Sequence, residues 1–156
     1  MAFDKTKFLE QFKAEARERL TRLNQGLLKL EKIPADKARL ENMMREAHTI
    51  KGAAAMMGYT KISRIAHVLE DGLQSALLGK IKLTKSHFDA MFGCLDAVEP
   101  LLEYRLAGDD AAVEKVGVED VAKAAEQVFA GKIPAPVKGK AANVPAAKIS
   151  GVKPEP

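Results

Sequence analysis

The sequence has few of the residues that mark redox, metal-binding or membrane proteins. It contains a single cysteine, Cys94, which excludes an internal disulfide framework and leaves any metal site to three histidines and the carboxylates. No apolar run reaches about 18 residues, so the sequence predicts no membrane insertion. The N-terminus alternates charged residues with Phe and lacks the apolar core of a signal peptide. A cytoplasmic protein that needs no cofactor is therefore the default expectation.

Aromatic residues are also scarce, at 5% of the chain with no Trp, while hydrophobic residues make up 47%. A core built from Leu, Ile, Val, Met and Ala suits helices better than sheets. The 156 residues fit one domain with a tail. No P-loop motif is present, and the length leaves no room for a kinase catalytic domain beside a helical domain. We therefore expect neither an ATP site nor an independent enzyme.

The basic charge is concentrated at the C-terminal end of the chain. Residues 1–130 hold 20 basic and 20 acidic residues, whereas residues 131–156 hold five Lys, one Glu and five of the seven prolines. Such a segment has too little apolar bulk to offset its ordering entropy. We predict a domain over residues 1–130 and a flexible tail or linker over residues 131–156. The domain itself has no net charge and no aromatic-basic stripe, so nucleic-acid binding is not expected.

Apolar residues recur at spacings of three and four through most of the domain, which predicts buried helical faces. Short connections between such helices are typical of an antiparallel up-down bundle. We expect Thr60 to be the N-cap of the third helix, and Pro100 to kink the fourth or to remove one of its backbone bonds. The fold class is thus all-α, a four-helix bundle with a short fifth C-terminal helix. The five predicted helices span roughly residues 4–32, 35–57, 60–78, 84–107 and 118–130.

One histidine of the second helix lies outside that helix's apolar face. The predicted core face consists of Leu40, Met43, Ala47, Ile50, Ala54 and Met57. Stepping about 100° per residue places His48 well away from this face, so we expect it to be exposed. Lys51, one turn on, lies close enough to meet an anion bound to the imidazole. Gly52 costs about 1 kcal/mol within a helix, which suggests that a partner approaches closely there. The same stripe also carries Met44 and Ala55.

The third helix carries a matching polar flank that includes Ser63, His67 and Glu70. If the two helices are antiparallel neighbours, Glu70 reaches the imidazole of His48. A carboxylate that accepts from Nδ1–H leaves Nε2 unprotonated, which is the form that acts as a nucleophile. His67 precedes Glu70 by three residues and is close enough to touch it. A metal site formed by His48, His67 and Glu70 has no supporting close-spaced motif, so none is predicted.

The segments AHTIKGAAAMMG, residues 47–58, and AHVLE, residues 66–70, together resemble the histidine-containing phosphotransfer (HPt) domain. Within that family the match is closest to the N-terminal phosphotransfer domain of CheA-type chemotaxis histidine kinases. The resemblance implies a four-helix bundle whose histidine accepts a phosphoryl group and passes it to an aspartate of a response-regulator receiver domain. One departure is residues 53–57, Ala-Ala-Ala-Met-Met, where chemotaxis members are often richer in Gly.

Carried onto this sequence, the resemblance assigns a role to each residue of the predicted site. His48 is the phosphorylated residue, Lys51 lies near the phosphate, and Glu70 accepts the hydrogen bond of the imidazole. His67 is a further partner of that carboxylate. Gly52 lets the receiver approach, with Met44 and Ala55 as flanking contacts.

Three functions remain open from the sequence alone. The first is a phosphoryl carrier served by the ATP-binding domain of a histidine kinase and by a receiver domain. The second is the N-terminal substrate domain of a longer CheA-like kinase, cut in its linker. The third is a helical adaptor whose His48 is never phosphorylated. A mobile tail favours the second function, because a tethered substrate domain needs reach.

Overall fold

The computed structural model describes residues 5–131, so residues 1–4 and all of the predicted tail except Gly131 lie outside the described part of the chain. The described residues form helices and connecting turns, with no strand among them. This agrees with the predicted all-α class. The helices are α1 (Lys5–Lys32), α2 (Lys37–Met57), α3 (Thr60–Leu77), α4 (Lys85–Leu106), α5 (Asp110–Lys115) and α6 (Glu119–Phe129).

Contacts between the four long helices confirm the antiparallel bundle. Arg17 of α1 forms a bidentate pair with Glu103 of α4, with nitrogen–oxygen distances of 3.1 and 2.7 Å. Arg22 of α1 pairs with Glu46 of α2 at 2.7 Å, and Gly26, one turn further along α1, packs against Met43, three residues earlier on α2. Neighbouring helices therefore run in opposite directions, and the α1–α2 and α3–α4 connections lie at the same end of the bundle.

The predicted core face of α2 is confirmed at all six positions, since each of them is buried. On α3 the apolar positions Ile62, Ile65, Ala66, Leu69 and Leu73 are buried as well, and Ala76 near the end of that helix is half-buried. Every fully buried side chain among the described residues is apolar. Burying a Leu or Ile stabilises the fold by about 1.5–3 kcal/mol relative to exposure, so this core holds the bundle together.

The start of α3 differs from the expectation. Gly58 ends α2 in the left-handed conformation with φ 79°, and the N–H of Tyr59 donates to the carbonyl of Ala54 at 2.8 Å. This turn is so short that Tyr59 becomes the N-cap, without a side-chain hydrogen bond, and Thr60 is already helical. The prediction of Thr60 as the cap was therefore wrong. The Tyr59 ring is buried instead, edge-on to Phe12 with centroids 5.6 Å apart.

The C-terminal part of the domain contains one helix that was not predicted. The six-residue α5 begins after Asp109, whose side chain accepts from the N–H of Ala112 at 3.1 Å. Six residues make fewer than two helical turns, too few for the apolar spacing to repeat, so the sequence pattern does not reveal this helix. The predicted fifth helix corresponds to α6. Arg64 of α3 holds α6 through ion pairs to Glu119 at 3.0 Å and Glu126 at 2.8 Å.

The fourth helix runs through Pro100, which is half-buried within the span Lys85–Leu106. Proline has no N–H, so one backbone hydrogen bond is lost there without ending the helix. Across residues 5–131, no helix has the length and apolar character needed to cross a membrane.

Candidate functional site

His48 lies on the outer surface of α2, as its angular position predicts. Its side chain is 65% exposed, whereas the preceding residue, Ala47, is fully buried. The imidazole thus belongs to the solvent-facing stripe of a helix whose opposite face is anchored in the core. A rigid helix holds the ring in place better than a loop would.

Glu70 of α3 reaches this imidazole across the groove between the two helices. Nδ1 of His48 lies 2.8 Å from Oε2 of Glu70, within hydrogen-bond distance. A carboxylate only accepts, so Nδ1–H donates to it and Nε2 keeps its lone pair. The Glu70 side chain is only 16% exposed, which fixes its orientation. The contact expected from the sequence between His48 and Glu70 is present.

Lys51 also turns toward Glu70. Its Nζ lies 2.7 Å from Oε1 of the carboxylate as an ion pair, and that buried oxygen accepts no hydrogen bond within the described chain. Burial alone would raise the pKa of the Glu70 carboxyl, but Lys51 and then His48 outweigh burial and lower it. Glu70 is therefore ionised at neutral pH. The Lys51 ammonium lies one helical turn from His48, within reach of an anion bound to the imidazole.

His67 makes a different contact from the one expected. Its Nε2 lies 3.5 Å from Oδ2 of Asp71, one turn further along α3. The two oxygens of Glu70 instead face His48 and Lys51 on α2. The predicted contact between His67 and Glu70 is thus replaced, because the carboxylate turns toward the cations of the neighbouring helix. The role inferred for His67 stays a prediction.

The residues predicted to contact a partner share the outer surface of α2 with His48, and their contact with a partner stays a prediction. Gly52 is exposed, and a Cβ built on it would meet no atom within 4 Å, so the backbone there is open to an approaching molecule. Ala55 is exposed and Met44 half-buried. Met56, one of the residues that depart from the family pattern, is 63% exposed.

Two features of the site were not predicted. Oγ of Ser63 on α3 donates to the backbone carbonyl of Lys51 at 3.2 Å, which ties the two helices together beside the site. On the other flank, Glu46 binds Arg19 and Arg22 of α1, each at 2.7 Å. Burial alone would raise the pKa of Glu46, but Arg22 and Arg19 lower it. These partners are distant in sequence, so spacing alone does not indicate them.

Chemically, the site offers an exposed nucleophilic nitrogen, a carboxylate that balances positive charge on the ring, and a nearby ammonium. The described residues contain no group of three His, Cys, Asp or Glu side chains arranged to hold a metal ion. The arrangement suits covalent transfer of an anionic group to and from nitrogen.

The sequence model of the Hpt domain family matches residues 7–103, which include the whole of this site. The chain belongs to the Hpt domain family. The match covers nearly all of α1, the whole of α2 and α3, and most of α4, and α5 and α6 lie outside the matched segment.

Relatives of this Hpt domain include much longer proteins. The chemotaxis protein CheA of Bacillus subtilis is 36% identical over 107 residues, which cover 69% of this chain and 16% of that protein. CheA of Halobacterium salinarum is 33% identical over 122 residues, covering 78% and 18%. The gliding motility regulatory protein of Myxococcus xanthus is 36% identical over 99 residues, covering 64% and 12%. The chain thus matches less than a fifth of the length of each of these relatives.

A solved structure supports the same assignment. The solution structure of the histidine phosphotransfer domain of CheA superposes with a TM-score of 0.70 at 25% sequence identity. The superposition covers 84% of this chain and 95% of that domain. The Hpt domain described here is therefore similar over nearly its whole described length to a phosphotransfer domain of the chemotaxis type.

Proposed function

We propose that this Hpt domain is a phosphoryl carrier in two-component signalling and that His48 is its phosphorylated residue. The observation that carries the proposal is the hydrogen bond from Nδ1 of His48 to Glu70, at 2.8 Å, on a ring that is 65% exposed. It leaves Nε2 unprotonated and accessible. No other histidine of the described chain combines such exposure with a carboxylate at hydrogen-bond distance.

In the loading step, the Nε2 lone pair of His48 attacks the terminal phosphorus of ATP held by the ATP-binding domain of a histidine kinase. A nitrogen–phosphorus bond forms, the bond to the bridging oxygen breaks, and ADP leaves with that electron pair. The ring becomes positively charged and keeps its Nδ1 proton. The Glu70 carboxylate stabilises this developing charge, and its lowered pKa keeps it ionised during the step.

In the unloading step, a carboxylate oxygen of a receiver-domain aspartate attacks the same phosphorus. The nitrogen–phosphorus bond breaks and Nε2 recovers its lone pair, so the neutral ring returns with Nδ1 still bonded to Glu70. Lys51 lies one turn from His48 and turns its ammonium toward the phosphoryl oxygens while the group is bound. The exposed backbone at Gly52 gives the receiver room to approach.

We further propose that nucleotide binds to a different domain, because the family match covers the helical bundle alone while the CheA relatives are more than five times longer than the segment that they share with this chain. That nucleotide-binding domain belongs either to the same chain or to a separate protein. The much greater length of the CheA relatives favours a substrate domain of a CheA-type kinase, placed in the cytoplasm beside its receivers. The alternative, a helical adaptor whose His48 is never phosphorylated, has no comparable support, because an adaptor would not need the hydrogen bond between His48 and Glu70.

The test is a two-stage labelling experiment on the full chain. A CheA-type kinase fragment that lacks its own Hpt domain is incubated with the protein and ATP labelled at the terminal phosphate. We expect label that is acid-labile and alkali-stable, as for phosphorus on nitrogen, and that moves to an added receiver domain. Label that resists acid, or that never leaves for a receiver, would contradict the carrier function.

A further inference from the structure

The end of the bundle that holds the α1–α2 and α3–α4 connections has an unusual surface. We call residues 28–40 and 78–89 the basic pole. These residues include seven basic and three acidic ones, a net charge of +4, whereas the other described residues have 13 basic and 16 acidic ones, a net charge of −3. Positive and negative charges thus nearly cancel over residues 5–131, but the positive excess lies at one end of the bundle and the negative excess lies in the rest.

The lysines of this pole are available to a partner. All seven arginines among the described residues pair with carboxylates. Among the lysines of the pole, by contrast, only Lys85 has a carboxylate within 4.0 Å, that of Asp89 at 3.4 Å, and the Lys85 side chain is still 86% exposed. Exposed lysines that pair with no carboxylate of the described chain are Lys29, Lys32, Lys37, Lys80 and Lys82.

Apolar side chains are exposed at the same end. Of the four large hydrophobic residues that are most exposed in the described chain, three belong to the pole: Leu28 at 55%, Ile33 at 61% and Leu78 at 59%. Exposed apolar residues that share one end of a domain with unpaired charges suit contact with another molecule. None of these residues is needed for the core, which is complete without them.

The pole lies close to the phosphoryl site but does not overlap it. Lys37 is 11 residues before His48 on α2, which is roughly 16 Å along the helix axis. A partner bound at the pole can therefore extend along α2 to the imidazole. The end of a four-helix bundle offers roughly 400 Å², about half of the area per partner in a stable complex. An interface of this size suits brief docking, as a carrier that must be released requires.

The described chain also ends at this pole. Phe129, at the end of α6, stacks on His87 in the first turn of α4 with ring centroids 6.2 Å apart. Gly131, the last described residue, therefore lies beside the pole. If this Hpt domain belongs to a longer kinase, the remainder of the chain is tethered nearest to this surface.

We propose that the basic pole is a docking surface for an acidic patch on the phosphoryl-donating kinase domain. The inference rests on the proposed carrier function. An anionic membrane is a poorer match, because Glu31, Asp36 and Asp89 interrupt the lysines and only three apolar side chains are exposed. Charge pairs at the rim of an interface mainly speed the association of the two proteins and make it depend on salt. The pole should therefore affect the binding of the kinase domain and not the rate of phosphoryl transfer once it is bound.

The test compares two triple variants of the full chain. Lys32→Gln/Lys80→Gln/Lys82→Gln neutralises the pole, and Lys13→Gln/Lys115→Gln/Lys123→Gln neutralises three exposed lysines elsewhere. Both are phosphorylated by the CheA-type kinase fragment that lacks its own Hpt domain, over a range of protein and salt concentrations. We expect the pole variant to raise KM about three- to tenfold with kcat unchanged and with a weaker salt dependence of KM. The control variant should match the parent.

The outcomes separate this inference from the function on which it rests. If the parent is not phosphorylated, the carrier function fails and the docking surface fails with it. If the parent is phosphorylated and the pole variant keeps its KM and salt dependence, only the docking surface is overturned. A defect confined to transfer to a receiver would assign the pole to that partner instead. If the pole variant keeps the parental KM but no longer binds vesicles with 30% phosphatidylserine that the parent binds, the pole is a membrane-binding surface instead.

Discussion

Nδ1 of His48 on α2 and Oε2 of Glu70 on α3 lie 2.8 Å apart, although 22 residues separate them in the chain. The tight turn at Gly58 fixes the register of the two helices, and Ser63 reinforces it by donating to the carbonyl of Lys51. The nucleophile and the group that orients it therefore sit on two different rigid helices. A change at Glu70 should affect the imidazole without disturbing the core.

Replacing Glu70 should slow phosphorylation of His48. Without the carboxylate, Nδ1–H loses its acceptor, the tautomer is no longer fixed, and the positive charge of the transition state is less well stabilised. Loss of a positioned acid–base partner costs about 10²–10⁴-fold in rate, and an orienting group should fall at the low end. Glu70→Gln still accepts one hydrogen bond, so it should be milder than Glu70→Ala. Initial labelling rates at a fixed kinase concentration measure both effects.

The neighbouring carboxylate provides the matched control. Asp71 lies on the same helix and contacts His67 rather than His48. Asp71→Ala should therefore keep the parental rate, and His67→Ala should show only a small reduction. If Glu70→Ala is labelled as fast as the parent while circular dichroism shows intact helices, Glu70 does not orient His48.

Lys51 should act on the transfer of the phosphoryl group to His48. Its ammonium pairs with Glu70 in the unphosphorylated domain and lies one turn from the ring that receives the phosphoryl group. We expect Lys51→Gln to lower the initial phosphorylation rate by about tenfold, the size of one modest electrostatic contact. Exposed Lys13 on α1 is the control, and Lys13→Gln should leave the rate unchanged. Equal rates for the parent and Lys51→Gln would remove Lys51 from the site.

The sequence was sufficient to predict those parts of the fold that depend on local periodicity. The apolar spacing of α2 predicts all six buried residues and the exposure of His48 between them. Antiparallel packing of α2 and α3 then predicts that Glu70 reaches the imidazole. Helical faces are reliable because a shift of one residue would rotate charged groups into the core.

The parts that could not be predicted depend on which of several partners a side chain selects. Glu70 had both His67 and Lys51 within reach, and the structure gives it Lys51 because the carboxylate faces α2. Helix α5 was missed because its six residues make fewer than two turns, too few for the apolar spacing to repeat. The ion pairs of Glu46 with α1 depend on the alignment of two helices, which spacing does not specify.

Stability should depend on pH through His87. Nδ1 of this residue accepts the backbone N–H of Thr84 at 2.9 Å, which requires a neutral ring, and burial lowers the pKa of His87 below its usual value. As the pH falls below about 6.5, the unfolded chain takes up a proton that the folded chain resists. The free energy of unfolding should therefore decrease between pH 7.5 and 5.5. Thermal unfolding measured at several pH values in that range tests this.

Two variants identify the source of that decrease. A Gln at this position of the first helical turn can make the same capping bond without titrating, so His87→Gln should show a smaller loss of Tm on acidification. His67→Gln should lose as much Tm on acidification as the parent, because His67 does not cap a helix. If His87→Gln loses as much Tm on acidification as the parent, His87 is not the source of the pH dependence.

Gly72 should be essential for the docking of α6. A Cβ built on it would lie 2.5 Å from two atoms of the Phe129 ring, closer than real contacts allow. Gly72→Ala should therefore displace the end of α6 and destabilise the domain by about 1–3 kcal/mol, as overpacking does. Adding Phe129→Leu should recover part of this loss in urea unfolding. A Gly72→Ala variant as stable as the parent would show that Phe129 moves aside freely.

The central claim is that His48 carries the phosphoryl group, and labelling of His48→Gln tests it most directly. The parent and the variant are incubated with a CheA-type kinase fragment that lacks its own Hpt domain and with labelled ATP, with circular dichroism as the control for folding. Because His48 lies outside the core, the variant should stay helical and take up no label. A folded His48→Gln variant labelled as fully as the parent would contradict the account.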